Sequence, residues 1–287
     1  MDRIPMRHIN TTNKESDSSE CFSIRDIKVL LEGKDMVQEL HRHDFFHVLA
    51  LKKGRGNHEV DFTSYEFCDK SLFFMRPGQV HQVVLNAEST GYLMEFKTGF
   101  YVPPDRVSKM LMCKTINKNL CHRDAKRFQK LFYILTYIFR EYTDKHAGYH
   151  DAIKAVLGVF FLELVRQRHN RKSPPDNKTP YMQERFEEFL KLLETHVSDK
   201  KHVSQYADML HLSSYQLNAI TKAMQGKMCS ELINDHIILE AKRQLLATSS
   251  QVKEIAYHLG YEDISYFIRF FKSHTGYSPE SFRKSFK

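Results

Sequence analysis

Apolar positions along this chain recur with two periods, and the change from one to the other divides it. Between residues 21 and 100 they come in short runs of strand length: 45–51, 58–62, 71–75, 80–85 and 92–96. Lys53-Gly54-Arg55-Gly56, Cys68-Asp69-Lys70 and Arg76-Pro77-Gly78 punctuate them as turns. Short strands at a spacing of roughly ten residues predict a β-barrel or a double-sheet jelly roll. From residue 123 the period becomes helical. Over 123–142 the apolar positions are Phe128, Leu131, Phe132, Leu135, Ile138, Phe139 and Tyr142; over 151–168 they are Ile153, Val156, Leu157, Phe160, Phe161, Leu164 and Val165. Gly148 and its neighbours turn the chain between them, so the pair is expected to form an antiparallel hairpin. A small barrel covers only part of so much apolar surface, which predicts a homodimer through residues 123–168.

Residues 171–180 carry three prolines and no periodicity, and read as a linker. Beyond them the pattern is helical to the end. In the last stretch Ile255, Ala256 and Leu259 form an apolar stripe. Gly260 offers a left-handed turn, Asp263 a helix cap, and Phe267, Phe270 and Phe271 a second stripe. This is a helix-turn-helix pattern, whose second helix can enter a major groove. It occurs twice. Val203, Ala207 and Leu210 precede Val252, Ala256 and Leu259 by 49 residues. Leu217, Ile220, Lys222, Gly226 and Leu232 precede Phe267, Phe270, Lys272, Gly276 and Phe282 by 50. His211 stands where the second copy has Gly260, and Ser213-Ser-Tyr-Gln216 reads as a capping box. A continuous helix over 230–246, roughly 25 Å long at about 1.5 Å per residue, joins the copies. It can hold two recognition helices about one DNA turn apart, ~34 Å.

Ala256, Gly260-Tyr261, Ser265-Tyr266-Phe267, Arg269, Phe271-Lys272, Gly276-Tyr277-Ser278-Pro279 and Phe282-Arg283 together resemble the signature of the AraC/XylS family of bacterial transcription regulators. Upstream, the order His41-x-His43, Gly54-x-Gly56, Pro77-Gly78-x-x-His81 is similar to the cupin sensor domain often found in that family. The fold expected is therefore α+β: a cupin-like β-barrel with its helical hairpin over 1–170, a linker over 171–180, and an all-α double helix-turn-helix over 181–287. The first 20 residues, polar apart from Ile4-Pro5-Met6, are expected to form a loosely attached lead.

Composition narrows the picture further. The 287 residues suffice for two cores, and 41% hydrophobic with 27% charged content is ordinary for a globular chain. Five scattered cysteines without a Cys-x-x-Cys pair argue against a disulfide framework or a zinc finger. No signal peptide and no apolar run of membrane length are seen, which predicts a cytoplasmic location without a membrane partner. The net charge of +8 is misplaced for a simple basic footprint: residues 181–287 hold 14 Lys and Arg against 13 Asp and Glu, a net of +1, and residues 1–180 a net of +7. Grip on phosphate must come from a few placed cations and helix N-termini.

The candidate reading faces follow from the periodicity. On the first recognition helix Ser214, Tyr215, Asn218, Thr221 and Lys222 are expected outward; on the second, Ile264, Ser265, Ile268, Arg269 and Lys272. Asn can bind adenine bidentately, Tyr can touch thymine methyls or phosphate, and Arg can hold guanine or phosphate. Solvated polar faces and surface ion pairs are the plainer alternatives. Lys227 and the helix starts near Ser213 and Ser278 are further phosphate candidates. In the barrel, His41, His43 and His47 share parity, and His81 can approach from a neighbouring strand. They suit a polar effector pocket near His43 and His81, a structural role, or a metal site in which His47 stands near the place of the acid of metal cupins. No catalytic residue, cofactor or metal ligand is assigned.

The resemblance implies a non-enzymatic regulator that binds double-stranded promoter DNA, contacts RNA polymerase and answers a small-molecule effector. The competing reading is a metal-dependent cupin enzyme with an accessory DNA-binding domain. A DNA-alkyl-transfer protein is disfavoured, because no nucleophilic cysteines cluster.

Overall fold

Strand and helix periods translate directly into two compact units, one within Pro5–Ser173 and one within Pro174–Lys287 together with Met1–Ile4. The computed structural model describes residues 4–9, 21–103, 125–169 and 179–286. Most of the expected lead and linker, and Arg123 at the expected helix start, lie outside the described residues.

In the N-terminal unit, β1 (Met6–Arg7), β3 (Met36–His43), β8 (Val80–Leu85), β5 (Gly56–Val60) and β6 (Thr63–Glu66) form one sheet, in the order β1-β3-β8-β5-β6. β2 (Phe22–Asp26), β9 (Thr90–Phe96), β4 (Phe46–Lys53) and β7 (Ser71–Met75) form the other, in the order β2-β9-β4-β7. A short helix α1 (Ile27–Leu31), capped by the Asp26 carboxylate, follows β2.

Alternation across β4 explains its burial on both faces. Phe46, Val48 and Ala50 join Phe74, Met94 and Phe96 on one side. Leu49 and Leu51 join Phe73, Leu93 and, from the other sheet, Val83 and Leu85. The first side packs against α2 (Ala125–Asp144) and α3 (Tyr149–His169), an antiparallel hairpin whose Leu131, Leu135, Ile138, Ile153, Leu157 and Phe160 belong to the same core. This corrects the premise of the dimer expectation. The apolar stripes that call for a second copy are buried within one chain, because the four-stranded sheet offers them a whole face.

Runs 71–75 and 80–85 coincide with β7 and β8. The run at 58–62 does not hold to its end: Asp61 and Phe62 take left-handed φ values of 45° and 65° and turn the chain into β6. β3 escaped the pattern, because its solvent side is polar and its inward residues are histidines, which an apolar count omits.

The C-terminal unit contains α4 (Pro180–His196), α5 (Val203–Met209), α6 (Ser214–Gln225), α7 (Cys229–Ala247), α8 (Val252–His258), α9 (Ile264–Thr275) and α10 (Pro279–Phe286). The repeat is realised element by element: α5 and α8 have seven residues each, α6 and α9 twelve. His211 adopts φ 54° where Gly260 adopts 71°, and Gly226 and Gly276 end the recognition helices at 73° and 81°. One continuous core runs from Phe186 and Phe189 through Leu217, Ile237 and Ala241 to Phe267 and Phe282, so both copies share it.

The copies also touch directly. A Cβ on Gly260 would lie 1.8 Å from the Ser198 carbonyl oxygen. Lys201 Nζ–H donates to the carbonyls of Ser198 (3.1 Å) and Gly260 (3.0 Å), with the ammonium 4.9 Å from the Tyr261 ring centre. Among the described residues, no helix is long and apolar enough to cross a membrane. Gly260→Ala meets both a left-handed φ and a backbone oxygen, so a loss of ~2 kcal/mol or more is expected. A lowered thermal midpoint of the full chain, followed by far-UV circular dichroism, is the check; an unchanged midpoint contradicts the packing described.

Candidate nucleic-acid interface and a buried histidine cluster

The two candidate recognition helices begin with well-made caps. The Ser213 and Gln216 side chains bond each other's backbone N–H, at 2.8 and 3.2 Å. Asp263 Oδ1 accepts from the N–H of Ser265 (2.8 Å) and Tyr266 (3.2 Å). Satisfied caps hold the first turns rigid, and in both helices that turn carries outward residues. Ser214, Tyr215 and Lys222 on α6, and Ser265, Ile268, Arg269 and Lys272 on α9, are exposed, Tyr215 the most at 83%. Tyr266, one turn from Arg269, is also exposed (55%) and was not singled out.

Three expected outward residues are placed otherwise. Thr221 is fully buried (0%), and its hydroxyl donates to the Asn218 carbonyl at 3.1 Å. The repeat carries the signal for this: 50 residues on stands Phe271, a core residue, also at 0%. Ile264 is half-buried and packs against the shared core, which accounts for an apolar residue at that position. Asn218 is half-buried, and its Oδ1 accepts the Cys229 N–H at 2.9 Å. A bidentate adenine contact needs that oxygen's partner amide and the oxygen itself free together, so Asn218 is better described as an anchor for the start of α7.

The second copy shows why an anchor is needed in the first. Cys229 opens α7 and presents an N–H that no intrahelical carbonyl can reach. Fifty residues later Pro279 opens α10, and proline has no N–H. The residue 50 after Asn218 is Ile268, 36% exposed and without such a duty. The family-matching Arg283 is likewise internal: its Nε–H donates to the Leu245 carbonyl (2.9 Å) and its Nη2–H to the Ser250 carbonyl (2.5 Å), closing the end of α7. Lys227, a phosphate candidate, pairs with Asp235 at 2.6 Å.

In the N-terminal unit, strand register gathers histidines in the interior between the sheets. His41 and His81 are direct cross-strand partners on β3 and β8, and His43 follows two residues on. His47 is not on the strand of His41 and His43, as shared parity suggested. The chain turns at Asp44-Phe45, and His47 enters from β4 of the other sheet, its ring centre 5.0 Å from that of His43. His58, from β5, was not anticipated; its Nε2 lies 3.0 Å from Nδ1 of His81. Burial, reinforced by mutual repulsion, lowers His41 to about 4, His43 to about 2 and His58 to about 3, and holds His81 well below the ordinary imidazole value. These rings are therefore neutral.

A carboxylate is also present, where none was expected. Glu95 pairs with His47 in the β4–β9 register, 3.4 Å from its Nδ1, and Arg25 Nη2–H donates to it at 2.9 Å. Burial pushes this carboxyl upward, but His47 and Arg25 together outweigh that and lower it. A lone acid in the apolar run Tyr92-Leu-Met-Glu-Phe96 was the available signal. The expected pocket at His43 and His81 is not where the interior opens. A cleft of about 280 Å³, counted with its open mouth, is lined by Met36, Gln38, His47, Leu49 and Leu93 among others, and by neither His43 nor His81.

Comparison with known proteins meets both halves of this description. Residues 33–107 match the model of an AraC-like ligand binding domain, and residues 206–285 that of a helix-turn-helix domain. The chain is 23% identical over 263 residues to the uncharacterised HTH-type transcriptional regulator YfiF of Bacillus subtilis, covering 86% of this chain and 79% of that one. It is 23% identical over 248 residues to the HTH-type transcriptional activator RhaS of Escherichia coli O157:H7, covering 85% and 87%. A solved structure of ToxT from Vibrio cholerae aligns over 93% of this chain and 99% of its own, at 16% identity and a TM-score of 0.42.

The anchoring role of Asn218 has a sharp test in urea unfolding. Asn218→Ala leaves the Cys229 N–H without its acceptor and is expected to cost ~1–3 kcal/mol. Met228 already has φ −69° and ψ 154°, which suits a following proline, so Cys229→Pro removes the donor without altering the turn. In that background the cost of Asn218→Ala should nearly vanish; equal costs in both backgrounds would exclude the anchor.

Proposed function

The chain belongs to the AraC/XylS family of transcription regulators, and we propose that it grips promoter DNA with α6 and α9 in two successive major-groove segments. The observation that carries this reading is the doubled unit itself. Two capped twelve-residue helices, equivalent in sequence and structure, stand at the two ends of α7, whose 19 residues span about 28 Å at about 1.5 Å each. Each exposes side chains suited to DNA: Tyr215 and Lys222 on one, Ser265, Ile268, Arg269 and Lys272 on the other. With Asn218 and Thr221 engaged internally, α6 offers less for base recognition than periodicity promised, and Tyr215 is its main reader. Arg269 is the main reader of α9.

In this reading residues 1–170 sense a small-molecule effector, 171–180 link, and 181–287 bind DNA. The contact division at Ser173 and Pro174 and the start of α4 at Pro180 support those boundaries. Effector binding shifts the population able to engage both half-sites. Transcription rises through contact with RNA polymerase, the mode that the activator RhaS bears in its name. The protein acts in the cytoplasm and not as an enzyme. A homodimer through residues 123–168 belongs to the proposal; with the inner stripes covered, it would use the outer side of α2, where Tyr133 and Tyr137 are exposed one turn apart.

Binding sites recovered from cells supply operator DNA for the test. Arg269→Ala and Tyr215→Ala should each reduce discrimination between operator and random DNA by ~1–3 kcal/mol. Lys222→Ala and Lys272→Ala should weaken both equally and lower the salt slope by about one each. Gel shifts over a salt series separate the two behaviours; unaltered discrimination in both Arg269→Ala and Tyr215→Ala overturns the assignment of reading faces.

A further inference from the structure

The histidine cluster contains a hydrogen-bonding conflict that protons cannot resolve. His41 Nδ1 lies 2.6 Å from the Glu39 carbonyl, which only accepts, so the proton of this neutral ring sits there and Nε2 carries a lone pair. That Nε2 faces Nε2 of His43 at 3.0 Å, and the same His43 nitrogen faces Nε2 of His81 at 2.8 Å. A ring nitrogen has one in-plane direction, holding either a proton or a lone pair. If His43 Nε2 is protonated, one proton is shared between two acceptors or meets a second N–H. If it is not, its lone pair opposes that of His41. Every arrangement leaves at least one buried nitrogen without a proper partner, at a place sealed from water: His41, His43 and His81 are all buried.

A cation at the meeting point resolves the conflict, because it takes all three lone pairs together. We propose that the β-sandwich binds a divalent transition-metal ion through Nε2 of His41, His43 and His81, with His58 as the positioning residue that fixes the ring of His81. The three ligand atoms lie within 4.8 Å of one another. For metal–nitrogen bonds near 2.05 Å, the ligand edges are about 2.9 Å at right angles and about 3.3 Å in a tetrahedron. The observed 2.8 and 3.0 Å need little or no movement. The far nitrogens are arranged as metal sites require: Nδ1 of His41 is held by the Glu39 carbonyl and Nδ1 of His81 by His58 at 3.0 Å, which keeps both Nε2 lone pairs turned inward. Neutral rings at physiological pH are ready to coordinate. Three imidazoles favour borderline ions such as Co²⁺, Ni²⁺, Cu²⁺ or Zn²⁺ over Mg²⁺ or Ca²⁺. They leave further coordination positions for water or an oxygen-bearing ligand. His47 lies outside this group and faces Glu95. The proposal does not depend on how the chain reads DNA.

The test uses the full-length, untagged protein stripped with a chelator and titrated with Co²⁺, followed by its visible d–d absorption and by metal analysis after gel filtration. One Co²⁺ per chain, displaced by Zn²⁺, is expected. His43→Ala and His81→Ala should abolish that absorption, with circular dichroism confirming the fold. His58→Phe should retain one ion but weaken binding 10–100-fold, and His58→Gln, which restores an acceptor for His81, should recover most of the loss. His47→Ala should leave the stoichiometry unchanged. Should a ligand variant fail to fold, the wild-type chain still decides: no stoichiometric Co²⁺ there, or equal binding in a folded His81→Ala chain, overturns the proposal. Equal affinity in His58→Phe removes the positioning role alone.

Discussion

The closest constraint in the C-terminal half is the meeting of Gly260 with the Ser198 carbonyl. A repeated helix-turn-helix need not be rigid as a pair, since a loop between copies would let each find its own groove. Here the turn of the second copy is pressed against the loop before the first, where even one methyl group has no room. Lys201 adds its ammonium to two carbonyls at that junction and lies over Tyr261. Beneath both copies α7 is buried along Ile233, Ile237, Ala241 and Leu245. The separation of α6 from α9 is consequently a property of a packed core. Under the DNA reading proposed, mismatch between that fixed separation and the duplex has to be absorbed by the DNA, at an elastic cost that depends on sequence away from any contact.

What was legible in the sequence followed from periodicity and turn chemistry. The paired stripes, the caps at Ser213 and Asp263, and the left-handed position shared by His211 and Gly260 each express a local rule, and each is realised. What was hidden depends on long-range register. Glu95 meets His47 only because β4 lies beside β9, and His58 reaches His81 only because β5 lies beside β8. Asn218 looks outward on a helical wheel, yet an orphan amide eleven residues away claims its oxygen. Thr221 misled for a different reason: polarity was trusted over the repeat, and a threonine whose hydroxyl returns to its own helix can serve as a core residue.

The two-sided burial of β4 has a further effect on the N-terminal unit. With one face given to the helical hairpin and the other to the sandwich interior, this strand leaves its sheet no free face within which to absorb a misfit. Polar chemistry has collected in the interior between the sheets, where histidines from β3, β4, β5 and β8 lie ring against ring. Packed cores respond to such local change in discrete rearrangements. A change of occupancy among those rings would be felt by strands that also carry the hairpin.

The contrast between Cys229 and Pro279 reaches beyond helix capping. Where the helix after a recognition helix opens with an ordinary residue, the recognition helix must surrender one outward side chain to hold it, as Asn218 is surrendered here. Where it opens with proline, the equivalent position is released, as at Ile268. A residue that faces away from any ligand thus sets how many positions of the neighbouring helix are free to vary. Over generations of drift, the second reader of this chain can change its preference at Ile268 without unsettling the fold, whereas the first is held at Asn218 until proline, or its equivalent, arrives at 229.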